Sequence, residues 1–225
     1  MAVAAVGTLM ARATQRERVH TMTGRSMPNN QGTRSMRRHV LRSLALLPLA
    51  WRLPRAHAAQ SAVRADALWS QIHEATWIGE GRGTRVLYIF FDPNCPYCHQ
   101  LYGMLRAFVG KADVQLRWIV LGMLTPSSLP KAAAILQAPN PLQAFHTNEA
   151  DYDFAANGQP GGGITPATTI TPKAREELAR NLTIYRAHKL FGVPVLLWRT
   201  AAGPAALLVG VPPEAELKSI IESCR

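Results

Sequence analysis

A chain of 225 residues is long enough for one well-cored domain with extensions. Its net charge of +11 is concentrated at the front: residues 1–58 hold ten Arg, no Lys and one Glu, whereas from Ala59 onward fifteen Lys and Arg face thirteen Asp and Glu. The remainder is nearly neutral, so the basic balance gives no argument for nucleic-acid binding, and no aromatic-interleaved Arg cluster supplies one.

The basic front reads as targeting. Arg37-Arg38-His39-Val40-Leu41-Arg42 is a twin-arginine pattern, followed by a modest apolar stretch from Leu44 to Ala50 and by Ala56-His57-Ala58, an A-x-A cleavage site. The stretch is too short to span a bilayer. Residues 1–58 are therefore expected to be a leader, cleaved near Ala58, that sends the chain to the periplasm; Met27 and Met36 are alternative initiators.

Ala65, Leu68, Trp69, Ile72 and Ala75 fall on one helical face, which predicts a linker helix within residues 59–80. Gly79-Glu80-Gly81-Arg82-Gly83 matches no dinucleotide fingerprint, because it precedes a strand, and reads as a flexible connection. A catalytic domain is expected over residues 81–225. Arg85 to Phe91 is a near-continuous apolar run, as in a strand buried on both faces. Pro93 stops it. Pro96 suits the first position of a helix that runs to about Val109, and Val114 to Leu121 forms the next strand, completing a βαβ unit.

Cys95-Pro96-Tyr97-Cys98 lies at the strand–helix junction. Two sulfurs three residues apart on a first helical turn can close a disulfide, and the free N–H groups and dipole there favour thiolate. Cys98, Leu101, Leu105 and Phe108 share the core-facing stripe, which leaves Cys95 as the exposed sulfur at the helix mouth. That division assigns Cys95 as the nucleophile and Cys98 as the resolving thiol of a redox-active pair. The third cysteine, Cys224, is a tail thiol with no assigned role or an intermolecular pairing point.

Beyond the second strand, Ser127 or Ser128 caps a helix through Gln137, Pro141 opens one to about Tyr152, and Pro172 opens a long one ended by Gly192. The loop from Asn157 to Gly163 lacks the Gly-Lys-Ser/Thr ending of a phosphate loop. Val195 to Arg199 and Ala205 to Val209 form a hairpin, and Pro213 begins a last helix through Glu222. The order predicts a thioredoxin-like α/β fold with a helical insert over about 124–191, placed after the second strand.

On these segments the chain resembles the catalytic domain of the periplasmic DsbC/DsbG disulfide isomerase family, closer to DsbG, over roughly Trp77 to Glu222. Phe91 to Cys98 is similar to the family's active-site run, Ala132-Ala133-Ala134-Ile135-Leu136 to a helix of its insert, and Gly192-Val193-Pro194-Val195 to its cis-proline loop. The resemblance implies a protein disulfide oxidoreductase or isomerase with no cofactor or metal. It implies a substrate platform at Val193 and Pro194 beside Tyr97, and partners that are protein thiols or disulfides and a membrane thiol-redox protein, DsbD-like or DsbB-like. Three departures are notable. Little foldable chain precedes Ala59 where the family has a dimerisation domain, so a monomer is expected. Val193 stands where Thr is usual, and the insert has no Cys. Ile89 also occupies the position, six residues before the first Cys, where thioredoxins carry a buried acid.

Two readings compete from other classes. Cys95-Pro96-Tyr97-Cys98-His99 matches the C-x-x-C-H haem attachment pattern, with Met104 or Met123 as a second ligand, although His99 is expected to face solvent. A metal site from Cys95, Cys98 and His146 or His188 is a weaker variant. A chaperone-like clamp would use Tyr97, Phe91 and Val193 as apolar contacts and treat the cysteines as incidental.

Overall fold

The computed structural model describes residues 53–154 and 161–225, with side chains from Gln60 onward. The twin-arginine run and most of the expected leader lie outside the described residues, as does the loop segment 155–160. The architecture is a five-stranded mixed sheet of order β1-β3-β2-β4-β5, comprising β1 (Ile78–Glu80), β2 (Arg85–Phe91), β3 (Val114–Val120), β4 (Val195–Arg199) and β5 (Ala205–Val209). Strands β2 and β3 are parallel, with Ile89 opposite Trp118, and every other pairing is antiparallel. The apolar run that makes β2 a central strand is buried from Leu87 to Phe91. Its neighbours on both sides are buried as well, in accord with a strand covered on two faces.

The first helix, α1 (Leu53–Gln71), continues into a 3-10 turn at Ile72–Glu74. It is packed into the domain, where the sequence predicts a linker. Ala65, Leu68, Ile72 and Ala75 are buried, α1 lies against β4 and β5, and Asp66 Oδ1 accepts the Ala205 N–H at 2.8 Å. Its apolar stripe is satisfied within this chain, and Trp69 meets the Tyr88 ring edge-on at 5.6 Å.

A second correction follows directly. The segment expected to be a flexible connection contains β1, which pairs antiparallel with β3 and buries Glu80. Trp118 Nε1 donates to Glu80 Oε2 at 2.9 Å, and the Arg106 guanidinium donates to both carboxylate oxygens. Burial alone would raise this carboxyl, but the hydrogen bonds from Arg106 and Trp118 and the Arg106 charge hold it below the usual range.

The helix after β2 is α2 (Pro96–Leu105). The insert holds α3 (Ser128–Leu136), α4 (Pro141–Ala150) and α5 (Pro172–Ala187) between β3 and β4. It follows the third strand of the chain, because β1 precedes the two strands read from sequence. Asn140 and Thr171 cap α4 and α5 through the N–H groups of Gln143 and Ala174, each with Pro at the next position. Helix α5 ends before Gly192: Lys189 takes the left-handed conformation at φ 51° and turns the chain. The last helix, α6 (Glu214–Ser223), brings the C-terminus back to the sheet, where Arg225 N–H donates to Arg199 O and Thr200 bridges Cys224. Cys224 is buried there with its thiol donating to Ile221 O at 3.3 Å, a position that withholds it from intermolecular pairing.

Candidate active site

Two elements that are distant in sequence build the site. At the end of β2 the chain turns through Asp92, whose buried carboxylate accepts the N–H groups of Asn94, Met123 and Leu124 and the Ser128 hydroxyl. This one side chain ties the active-site loop to the exit of β3 and the start of α3. Asn94 adds to the tie through Thr125, Ser127 and Lys131. Lys131 Nζ also donates to Gly162 O at 2.6 Å, and Gly162 N–H donates to Pro93 O at 3.0 Å. A side chain at Gly162 would collide with Asn148, whose Oδ1 lies 2.0 Å from where a Cβ would stand.

Cys95 is the N-cap of α2, and its sulfur accepts the Cys98 N–H at 3.3 Å. Pro96 follows at the first helical position, as its missing N–H and fixed φ allow. From the other side, the Gly192-Val193-Pro194 loop covers the sulfur. The Val193–Pro194 peptide is cis, and Val193 O stands 3.4 Å from Cys95 Sγ. Gly192 makes the preceding turn with φ 71°, and the Tyr185 hydroxyl holds its carbonyl at 2.7 Å.

Both cysteines are free thiols, and the structure separates them less by exposure than expected. Cys98 is 1% exposed and faces the core, but Cys95 is only 3% exposed, because the proline loop shields the sulfur that the helix pattern left open. What distinguishes them is electrostatic. The Cys98 thiol, hydrogen-bonded to the Cys95 sulfur, is the largest influence on Cys95; together with the N–H groups of Cys98 and Tyr97 it outweighs burial and holds the Cys95 thiol below the usual range. Burial pushes the Cys98 thiol well up. The arrangement favours a thiolate at Cys95 and a protonated Cys98.

Of the other residues singled out from sequence, Pro194 is buried beside Val193, and Tyr97 is 63% exposed on the first turn of α2. Phe91 is a core residue against Trp118 and Phe145, so it offers no contact to a partner. His99 does not simply face solvent. It stacks on Tyr152 with ring centroids 4.5 Å apart, and its Nδ1 lies 3.3 Å from Glu149 Oε2. Met104 and Met123 pack against the core. Thioether bonds to a haem would require Cys98 to leave the core and Val193 to leave Cys95, so these residues do not fit that group. His146 and His188 are engaged elsewhere, with Tyr102 and Gln71.

Sequence reasoning missed Glu149. It lies on α4, is 2% exposed, and accepts a hydrogen bond from Asn148 Nδ2 at 3.0 Å. Burial is the main cause that pushes its carboxyl up to about 8, with a further contribution from negative charge on Cys95. No periodicity marks such an acid. It comes from the insert and meets the active-site helix at His99.

Residues 74–224 match the family model described as a thioredoxin-like domain. Thiol:disulfide interchange protein DsbG of Pseudomonas aeruginosa is 30% identical over 159 residues, which cover 70% of this chain and 59% of that protein. The chain thus spans about three-fifths of that relative's length. Among solved structures, a linker-deletion mutant of Proteus mirabilis ScsC superposes with a TM-score of 0.56 at 19% identity, covering 80% of this chain and 97% of that one. A periplasmic thioredoxin-like protein from Salmonella enterica serovar Typhimurium gives a TM-score of 0.52 at 24% identity, covering 70% and 94%. Both likenesses concern the fold.

Proposed function

This chain belongs to the thioredoxin-like domain family, and from that premise we propose that it is an exported protein thiol:disulfide oxidoreductase. Cys95 attacks a disulfide of another protein, and Cys98 resolves the mixed disulfide that forms. Val193 and Pro194 receive the substrate backbone, with Tyr97 at the rim. The observation that carries this reading is the juxtaposition of a helix-capping sulfur with the proline loop, 3.4 Å apart. Substrates are cysteine-bearing proteins of the periplasm, and a DsbD-like or DsbB-like membrane protein returns the pair to its working redox state. The twin-arginine run and the A-x-A site before Ala59 support export, and the packing of the α1 stripe within its own domain supports a monomer.

Equilibration of the full chain with glutathione buffers, together with an insulin-reduction assay, tests the reading. A two-electron titration that vanishes in Cys95→Ser, and turnover of insulin by the unaltered protein, are the expected results. A Cys95–Cys98 pair that neither titrates nor turns over insulin would overturn it.

A further inference from the structure

Ile89 sits where thioredoxins place a buried acid, yet Cys98 still has to lose a proton before it can attack. Its thiol is 1% exposed and held in protonated form by burial. We propose that Glu149, carried to the active site by α4, accepts the Cys98 proton and that His99 links this carboxylate to solvent. The proposal rests on the exchange chemistry given above.

Geometry supports it from three sides. Asn148 Nδ2 donates both to Pro93 O at 3.1 Å and to Glu149 Oε1 at 3.0 Å, so the start of the active-site turn and the carboxylate share one anchor. Glu149 Oε2 faces Nδ1 of His99, the residue next to Cys98, and that imidazole is 28% exposed, giving a path outward. Among the described residues, His99 is the one ion-pair partner of Glu149, and burial keeps this imidazole a weak base. A glutamine could keep hydrogen bonds to Asn148 and His99 without the cost of a buried carboxyl that lacks a full counter-charge. An acid held at such a cost against His99, the neighbour of Cys98, fits proton transfer better than packing.

The groups facing Glu149 set its timing. Cys95, Cys98, His99, Tyr102 and Arg106 approach from α2, and Tyr152 from the turn after α4; Arg106 is already held by Glu80. While Cys95 is a thiolate, its charge adds to burial in keeping Glu149 protonated, and the neutral carboxyl does not oppose that thiolate. When Cys95 joins the substrate sulfur, that charge departs, the Glu149 carboxyl becomes easier to ionise, and its proton leaves through His99. The carboxylate then takes the Cys98 proton, directly or across one water. The Cys98 thiolate attacks Cys95 Sγ, the Cys95–Cys98 disulfide forms, the bond from Cys95 to the substrate sulfur breaks, and the substrate leaves as a thiolate. The substrate disulfide supplies the two oxidising equivalents.

The full chain carrying glutathione on Cys95 isolates this step, with glutathione release followed against pH. The unaltered protein should release it at a rate nearly flat around neutrality. Glu149→Gln should be slower by at least about tenfold at roughly pH 7 and should accelerate with rising pH as hydroxide takes over. Glu149→Asp should recover part of the rate. Equal rates and profiles for the unaltered protein and Glu149→Gln would overturn the proposal. Failure of the unaltered protein to release glutathione at all would instead overturn the exchange reading beneath it. Should Glu149→Gln not fold, carboxyl-carbon NMR of the unaltered protein decides. Glu149 should titrate above the ordinary glutamate range in the dithiol form and move down in the disulfide form. A titration unaffected by redox state would overturn the proposal.

Discussion

Cys95 Sγ and Val193 O stand 3.4 Å apart although 98 positions separate them in the chain. Each is placed by its own local device. The sulfur is fixed as the cap of α2, and the carbonyl is fixed by the turn at Gly192 and the Tyr185 hydroxyl. The contact both shields the sulfur and sets a backbone carbonyl where an extended substrate segment can pair beside it, the mode of recognition that uses main-chain hydrogen bonds.

The first prediction concerns the origin of Cys95 acidity. Because the Cys98 side chain is the largest influence lowering the Cys95 thiol, Cys98→Ala should raise its titration midpoint, while Cys98→Ser, which keeps an O–H donor, should raise it less. A lowered thiol pKa stabilises the reduced fold above the unfolded value, and that gain is lost as pH falls through the folded value. Thiolate ultraviolet absorbance titrated in both variants is the check. Identical midpoints would assign the effect to the helix backbone alone.

The division of labour gives a second expectation. Cys98→Ser should accumulate mixed disulfides with substrate proteins, visible on non-reducing gels, because the resolving thiol is gone. Cys95→Ser should leave none, since Cys98 faces the core and burial keeps its thiol protonated. Adducts in Cys95→Ser alone would invert the roles.

How far the sequence reveals this site depends on the range of the interactions. Strands β2, β4 and β5 and the capped start of α2 are legible, because apolar runs, prolines and turn residues act over a few positions. Strand β1 is not. Three residues containing Gly79 and Glu80 show no alternation, and β3 across the sheet makes them a strand, with Trp118 and Arg106 receiving the carboxylate. The burial of Cys95 is equally hidden, because its cover comes from the proline loop. Glu149 lies in the run Phe145-His146-Thr147-Asn148-Glu149-Ala150, which reads as an ordinary amphipathic turn until tertiary packing buries it against His99 of α2.

Asp92 should be the costliest polar position near the site. Asp92→Ala removes the acceptor of three backbone N–H groups and of the Ser128 hydroxyl, all buried or partly buried. The expected loss is about 3 kcal/mol or more, given roughly 1–3 kcal/mol for each buried group left unsatisfied and some relief by water. Urea midpoints of the reduced proteins should show it, with Asp92→Asn falling between. A loss under about 1 kcal/mol would mean that the loop finds other partners.

Glu80 tests the opposite edge of the sheet. Replacement by Gln leaves Arg106 without its charge partner and weakens the bond from Trp118. Arg106 is one-third exposed at 33%, so solvent tempers the loss, which should reach about 1–3 kcal/mol, below the roughly 3–5 kcal/mol of a fully buried broken pair. The Glu80 carboxyl lies below the usual range, so its contribution is present above the unfolded pKa and disappears as pH falls through the folded one. Glu80→Gln should therefore lose much of its disadvantage in acid, and urea unfolding at neutral and acidic pH checks it. A deficit that does not shrink in acid would remove the charge from the account.

Glu149 should give stability the reverse dependence on pH. Its carboxyl is raised from 4.5 to about 8 in the folded dithiol protein, so the native state binds a proton that the unfolded chain has released between those values. Stability from this group is then complete below about pH 4.5 and declines as pH rises, until the carboxyl ionises in the fold near pH 8. In Glu149→Gln that decline is absent, because an amide does not titrate. The variant should match the unaltered protein in acid and exceed it in alkali by on the order of a few kcal/mol. Urea unfolding of the reduced proteins across this pH range, with Glu80 intact in both, isolates the effect. A difference between the two that stays constant with pH would show that Glu149 titrates as an ordinary surface acid, and the burial argument for its place beside the cysteines would fail with it.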